Sequence, residues 1–236
     1  MLLDHFHSPL KDVRPWSGFF GMWAPKIAAA LNHRLPEGWI ASPTVHWDIE
    51  VDVATFEETG AAASAGTSPP SVNVPIPEPT KTIGYSVTTD VVDVRIYREL
   101  GDLILAGAVE FVSPGNKDRP DTRDAFVAKC DAYLRDAVGL VIVDIVTTRR
   151  ANLHSDLIRR LGQADPQDSP TYAAAYRALR RNGDCTLSIW YRPLSVGAPI
   201  PDMLMFLKDG PVIEVPLAAT YEETCDDLRI PRTAGQ

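Results

Sequence analysis

The stretch Ala108-Val109-Glu110-Phe111-Val112-Ser113-Pro114-Gly115-Asn116-Lys117 closes an apolar run that begins at Leu103-Ile104-Leu105-Ala106-Gly107. Together they read as a buried strand that carries a glutamate near its end and then breaks into a Ser-Pro-Gly-Asn turn. An ionised carboxylate in a buried strand is costly unless it is paired or binds a cation. Glu110 therefore needs a partner. It pairs with an Arg or Lys, or sits at a sheet edge and sees water, or joins a second carboxylate and holds a divalent metal.

Upstream, Val91-Val92-Asp93-Val94-Arg95-Ile96-Tyr97 alternates as a strand does, and Leu100-Gly101-Asp102 supplies a turn, so the two runs are expected to form a β-hairpin. Downstream, Asp121 to Asp136 reads as a helix with Phe126, Cys130, Tyr133 and Leu134 on one face. Gly139 to Val146 is fully apolar but for Asp144, as in a strand covered on both faces. Strand, helix, strand in that order calls for a parallel crossover. Trp16 to Leu35 is an amphipathic helix, and Trp39 to Phe56 is β-like. Leu153 to Leu161 and Tyr172 to Arg181 read as helices, Cys185 to Tyr191 as a strand, and Met203 to Leu217 as one or two short strands. A helix from Leu217 to Leu228 closes the chain. The expectation is one α/β domain over residues 1–236, with a mixed central sheet flanked by helices and extra C-terminal strands and helix. Residues 57–80 hold five of the chain's 20 prolines among Ala, Ser, Gly and Thr, and are read as a flexible insertion.

With 45% hydrophobic and 23% charged residues, the chain can bury a core without metal or disulfides. The net charge of -8 weighs against a general nucleic-acid binder held by long-range attraction. Cys130, Cys185 and Cys225 are widely spaced with no CxxC, which argues against a disulfide framework or zinc site. His5 and His7 are read as solvated or capping residues. The N-terminus lacks a signal-peptide core and no run spans a bilayer, so the expected location is cytoplasmic and the protein has no membrane partner.

Two residues strengthen the metal reading of Glu110. Asp52 also sits in an apolar run, Glu50-Val51-Asp52-Val53-Ala54-Thr55-Phe56, and Lys129 lies on the following helix, 129 − 110 = 19 residues on. An Asp and a Glu from neighbouring strands with a Lys nearby form a set used in phosphodiester hydrolysis. The carboxylates bind Mg²⁺ or Mn²⁺, and the lysine orients water or steadies developing charge.

Asp52 in EVDVATFEE, Glu110 in AVEFVSPGNKDRP and the run FVAKCDAYLRDAVGLVIVDIVTTRRANLH resemble a set of bacterial domain-of-unknown-function families. These stand at the margin of the PD-(D/E)XK nuclease superfamily, beside the Uma-type predicted endonucleases. The resemblance runs from about Trp16 to about Arg232 and includes AYRALRR, LSIWYRPL and EETCDDLRIPR. It implies a restriction-endonuclease-like core and metal-dependent phosphodiester hydrolysis, with Asp52, Glu110 and Lys129 as catalytic residues. Asp52 and Glu110 would hold one or two Mg²⁺ or Mn²⁺ ions. Val112 stands where the full motif has lysine, so the resemblance points to Lys129 on the next helix. Val51 stands where the motif Asp is preceded by proline. Nucleic acid is the implied partner. The alternative is an inactive nuclease-like scaffold that binds a protein partner or a second copy of itself.

Asp93 is the geometric rival to Asp52. With Leu100-Gly101 as a two-residue loop, Val91 opposes Glu110 and Asp93 opposes Ala108, making Asp93 and Glu110 diagonal neighbours on one face. A one-residue slip reverses this. Asp52 is preferred because the resemblance rests there. Ser113, Asn116, Lys117 and Arg149 are candidate substrate contacts, since phosphate favours such turn and loop residues. Ser113 is also a turn cap, and Lys117 an ordinary solvated turn lysine. Asp144 is read as a buried partner for an arginine or a backbone amide. Arg177, Arg180 and Arg181 form a basic helical patch, and the tryptophans belong to the core.

Overall fold

The apolar runs on either side of Glu110 form the middle of a mixed six-stranded sheet with helices on both faces. The computed structural model describes residues 1–46, 91–181 and 184–231. The elements run α1 (Leu10–Val13), α2 (Trp16–Asn32), β1 (Trp39–His46), β2 (Val91–Leu100), β3 (Asp102–Phe111), α3 (Pro120–Arg135), β4 (Gly139–Asp144), α4 (Leu153–Arg160), β5 (Tyr172–Arg181), β6 (Asp184–Pro193), β7 (Met203–Phe206), β8 (Val212–Val215) and α5 (Leu217–Asp227). Strands β1 to β6 lie in sequence order. Only β3 and β4 pair in parallel, joined by the α3 crossover. The β7–β8 hairpin is a separate ladder. Asp52 and the proline-rich stretch 57–80 lie outside the described residues. No described helix is long and apolar enough to cross a membrane.

Alternation along β3 divides the core. Phe111 points to the α2 side, where its ring lies 5.4 Å from Phe20 and 5.0 Å from Trp23. Trp23 also donates from Nε1 to Thr220 Oγ1 of α5 at 3.0 Å. Glu110, one residue earlier, points to the other face, beneath α3.

The segment Tyr172 to Arg181 is a strand and not the expected helix. Its alanines favour a helix by only a few tenths of a kcal/mol each. Against that stand complete ladders to β6 and, over Tyr172–Tyr176, to β4. Tyr172 and Tyr176 are fully buried, as are the small Ala173 to Ala175 between them, and β7 packs against this strand. The patch expected on a helix is therefore on a strand, where the Arg177 guanidinium lies 5.0 Å from the Phe206 ring centroid.

The β2–β3 hairpin turns more tightly than expected. Leu100 pairs with Asp102 around Gly101, which has a φ of +81°. Continued from this tip, the register would set Asp93 against Val109 and send Asp93 and Glu110 to opposite faces. A bulge at Ala106 adds one residue to β3, so Ile96 pairs with Gly107 and Asp93 with Glu110. The bulged carbonyl of Ala106 accepts from the Lys208 amide at 2.9 Å.

Gly107 and Gly139 face each other across the parallel pair and leave a notch for β7. A Cβ at Gly139 would stand 2.2 Å from the Phe206 carbonyl oxygen, a backbone atom that cannot swing away. Gly139→Ala is expected to destabilise the protein by about 2 kcal/mol through overpacking. Urea unfolding measures this, and a variant as stable as the parent would mean that β7 is not held against β4.

Candidate functional site

Asp93 of β2 and Glu110 of β3 are direct cross-strand partners, and both are buried, at 0% and 1% exposure. Directly opposed antiparallel residues have Cβ atoms about 4.5–5.5 Å apart, and like charges there repel. Two cations compensate. Lys129 Nζ of α3 donates to Glu110 Oε2 at 2.6 Å. Arg95, two residues from Asp93 and on the same face, donates to Asp93 Oδ2 from Nε at 3.2 Å and from Nη2 at 2.9 Å. The second oxygens, Asp93 Oδ1 and Glu110 Oε1, are buried with no hydrogen-bond partner among the described residues.

Burial pushes the Glu110 carboxyl above its usual range. Lys129 opposes that shift and the Asp93 charge adds to it. Tyr133, one helical turn past Lys129 and half-buried, has its phenol pushed up by burial and by Glu110. Cys130 beside it is buried, with its thiol pushed up by burial and by Glu110. The carboxylates thus lie under α3, with the partly exposed Lys129, Arg95 and Tyr133 between them and solvent.

The hairpin places Asp93 next to Glu110, and the helix brings Lys129 onto Glu110. The other candidates have structural partners. Ser113 and Asn116 close the turn on each other: Ser113 N donates to Asn116 Oδ1 at 2.9 Å, and Asn116 N to Ser113 Oγ at 3.2 Å. Lys117 is neither a solvated turn residue nor a phosphate contact. Its side chain is fully buried, and Nζ donates to Asp144 Oδ2 at 2.8 Å and to the Pro170 carbonyl at 2.7 Å. It sits in a single 3-10 turn over Gly115–Lys117 that folds it inward. Asp144 thus has a lysine as its partner, besides the Val146 amide at 3.0 Å. Arg149 pairs at the surface with Asp118 at 3.2 Å. His5 is buried and not solvated, with Nε2 2.7 Å from Tyr221 Oη. His154 is enclosed between Tyr176 Oη at 2.7 Å and Asp165 Oδ2 at 2.9 Å.

Arg95 and Tyr133 were not singled out for a site by the sequence reading. Their signals are simple in retrospect: period-two spacing puts Arg95 on the face of Asp93, and i, i+4 spacing puts Tyr133 beside Lys129. A cleft of about 380 Å³ between α3 and α4 is a separate feature. Its Arg159 and Arg160 are already held by Asp156 at 2.7 Å and Asp124 at 3.0 Å.

Among the described residues no group of three or more His, Cys, Asp or Glu side chains is placed to hold a metal ion. Two buried carboxylate oxygens without partners nonetheless fit a hard divalent cation, which takes oxygen ligands and keeps several waters. No protein-family model matches this chain, nor does any curated protein or solved structure.

Proposed function

We propose that Asp93, Glu110 and Lys129 form a metal-dependent phosphodiester-hydrolysing site on a restriction-endonuclease-like core. One observation carries the reading: two buried carboxylates on adjacent strands each keep one oxygen without a partner among the described residues, with a lysine ammonium 2.6 Å from one of the carboxylates. Asp93 and Glu110, each with one unpartnered oxygen among the described residues, would hold the ion. When bound, it polarises a phosphate oxygen and lowers the pKa of a coordinated water. Lys129, about one-third exposed, positions that water and balances charge that develops on the phosphate. The order α2-β1-β2-β3-α3-β4, an antiparallel meander followed by a parallel crossover, supports the core assignment. Asp52, the carboxylate to which the resemblance points, lies outside the described residues.

A second reading is favoured by the ion pairs themselves. Each carboxylate already has a cation of its own chain, as expected of an inactive scaffold that acts as a binding module. Calorimetric titration with Mn²⁺ separates the two. The hydrolytic reading expects binding by the parent that Asp93→Asn and Glu110→Gln both lose while remaining folded. Asp52→Asn shows whether that residue contributes. A folded parent that takes up no Mn²⁺ supports the scaffold.

A further inference from the structure

We propose that Arg95 is the phosphate-contacting cation of this site, and that its tether to Asp93 makes divalent-metal and phosphodiester binding mutually reinforcing. The inference rests on the two-carboxylate reading above and goes beyond it by assigning the group that recognises the anion.

Arg95 differs from a structural arginine in how it is placed. Asp93 is fully buried, whereas the Arg95 side chain is 33% exposed, so the pair spans from the interior to solvent. Both hydrogen bonds go to the same oxygen, Oδ2. Among the described residues this leaves Oδ1 without a partner and the guanidinium with unused donors. A guanidinium carries five donors in a planar fork suited to phosphate oxygens. Tyr97 accounts for one further contact. Lys129, also partly exposed, is the second cation of the cluster.

Charge balance then dictates the coupling. Asp93 and Glu110 contribute two negative charges, Arg95 and Lys129 two positive ones, and the cluster is neutral as it stands. A divalent cation at the free oxygens makes it doubly positive in a poorly solvated place. Excess charge there is costly without a counter-ion. A phosphodiester anion at Arg95 offsets part of it. Each ligand therefore strengthens the other, by equal factors.

The test is calorimetric titration of the intact protein with Mn²⁺, with and without a saturating concentration of dimethyl phosphate, a minimal phosphodiester. The parent is expected to bind Mn²⁺ about tenfold more tightly with dimethyl phosphate present, within the usual range of coupling between sites. Arg95→Gln is expected to keep Mn²⁺ binding and to reduce that enhancement to about twofold or less. If Arg95→Gln fails to fold, Arg95→Lys replaces it. Lysine keeps the charge but loses the fork, and less than half the enhancement is expected to remain. Mn²⁺ binding that ignores dimethyl phosphate, or an enhancement undiminished in these variants, overturns the role of Arg95 and leaves the metal site standing. A parent that binds no Mn²⁺ under either condition overturns both.

Discussion

Lys117→Met is expected to lower the unfolding free energy by about 3–5 kcal/mol, the usual consequence of leaving a buried charge without its partner. Both side chains of the Lys117–Asp144 pair are fully buried. Burial alone drives the Asp144 carboxyl up, and the Lys117 ammonium and the Val146 amide pull the other way. Removing the ammonium leaves Asp144 one amide hydrogen bond and pushes its carboxyl, already raised to about 7, further towards the protonated form, which must then be reached against its ordinary preference for ionisation. Methionine fills similar volume, so the loss is electrostatic rather than a cavity effect. The double variant Lys117→Met/Asp144→Leu is expected to recover most of the loss, because an apolar pair of similar size often matches a buried ion pair. Guanidinium unfolding of the three proteins measures this. A single variant within about 1 kcal/mol of the parent would contradict the assignment, since typical buried pairs cost several times that. The pair ties the turn after β3 to the end of β4 and to the Pro170 carbonyl ahead of β5. It therefore fixes where α3 starts, and with it the place of Lys129.

Acid should unfold this protein partly through His5. Burial lowers its pKa from 6.5 to about 4, with Asp4 pulling weakly the other way. The ring packs against Phe19 with its centroid 4.0 Å away and bonds Tyr221 Oη, so a proton there meets a largely apolar enclosure. Between pH 6.5 and 4 the unfolded chain binds more protons than the folded one, so stability falls as pH falls. The contribution is fully present above pH 6.5, and from pH 7 to pH 4 about 3 kcal/mol is lost. His154, also lowered by burial, acts in the same direction. His5→Gln keeps a polar side chain without the titration. Its unfolding free energy should fall by about 3 kcal/mol less than the parent's over the same interval. Equal losses in both proteins would show that His5 takes up its proton without strain.

The sequence was most informative where the physics is local. Glu110 announced its need for a partner because a charge in an apolar strand is expensive wherever that strand lies. Lys129, on the helix 19 residues on, was the lysine to which the resemblance pointed. Asp144 was readable as a paired buried carboxylate for the same reason as Glu110. Its partner was not: an inward-folding 3-10 turn, and not composition, buries Lys117. The strand at Tyr172–Arg181 was hidden by helix-favouring alanines, whose small preference gives way to ladders with two strands.

By itself, then, the sequence determined an α/β chain with a mixed sheet and a glutamate–lysine pair at the end of its central strand. Only the tertiary structure decided which described carboxylate joins them. Asp93 opposes Glu110 because one residue is bulged at Ala106, and the carbonyl freed there is bound by Lys208, about a hundred residues further along the chain. Strand register has period two, so a single extra residue settles whether two carboxylates share a face, and the contact that holds this one comes from a distant hairpin.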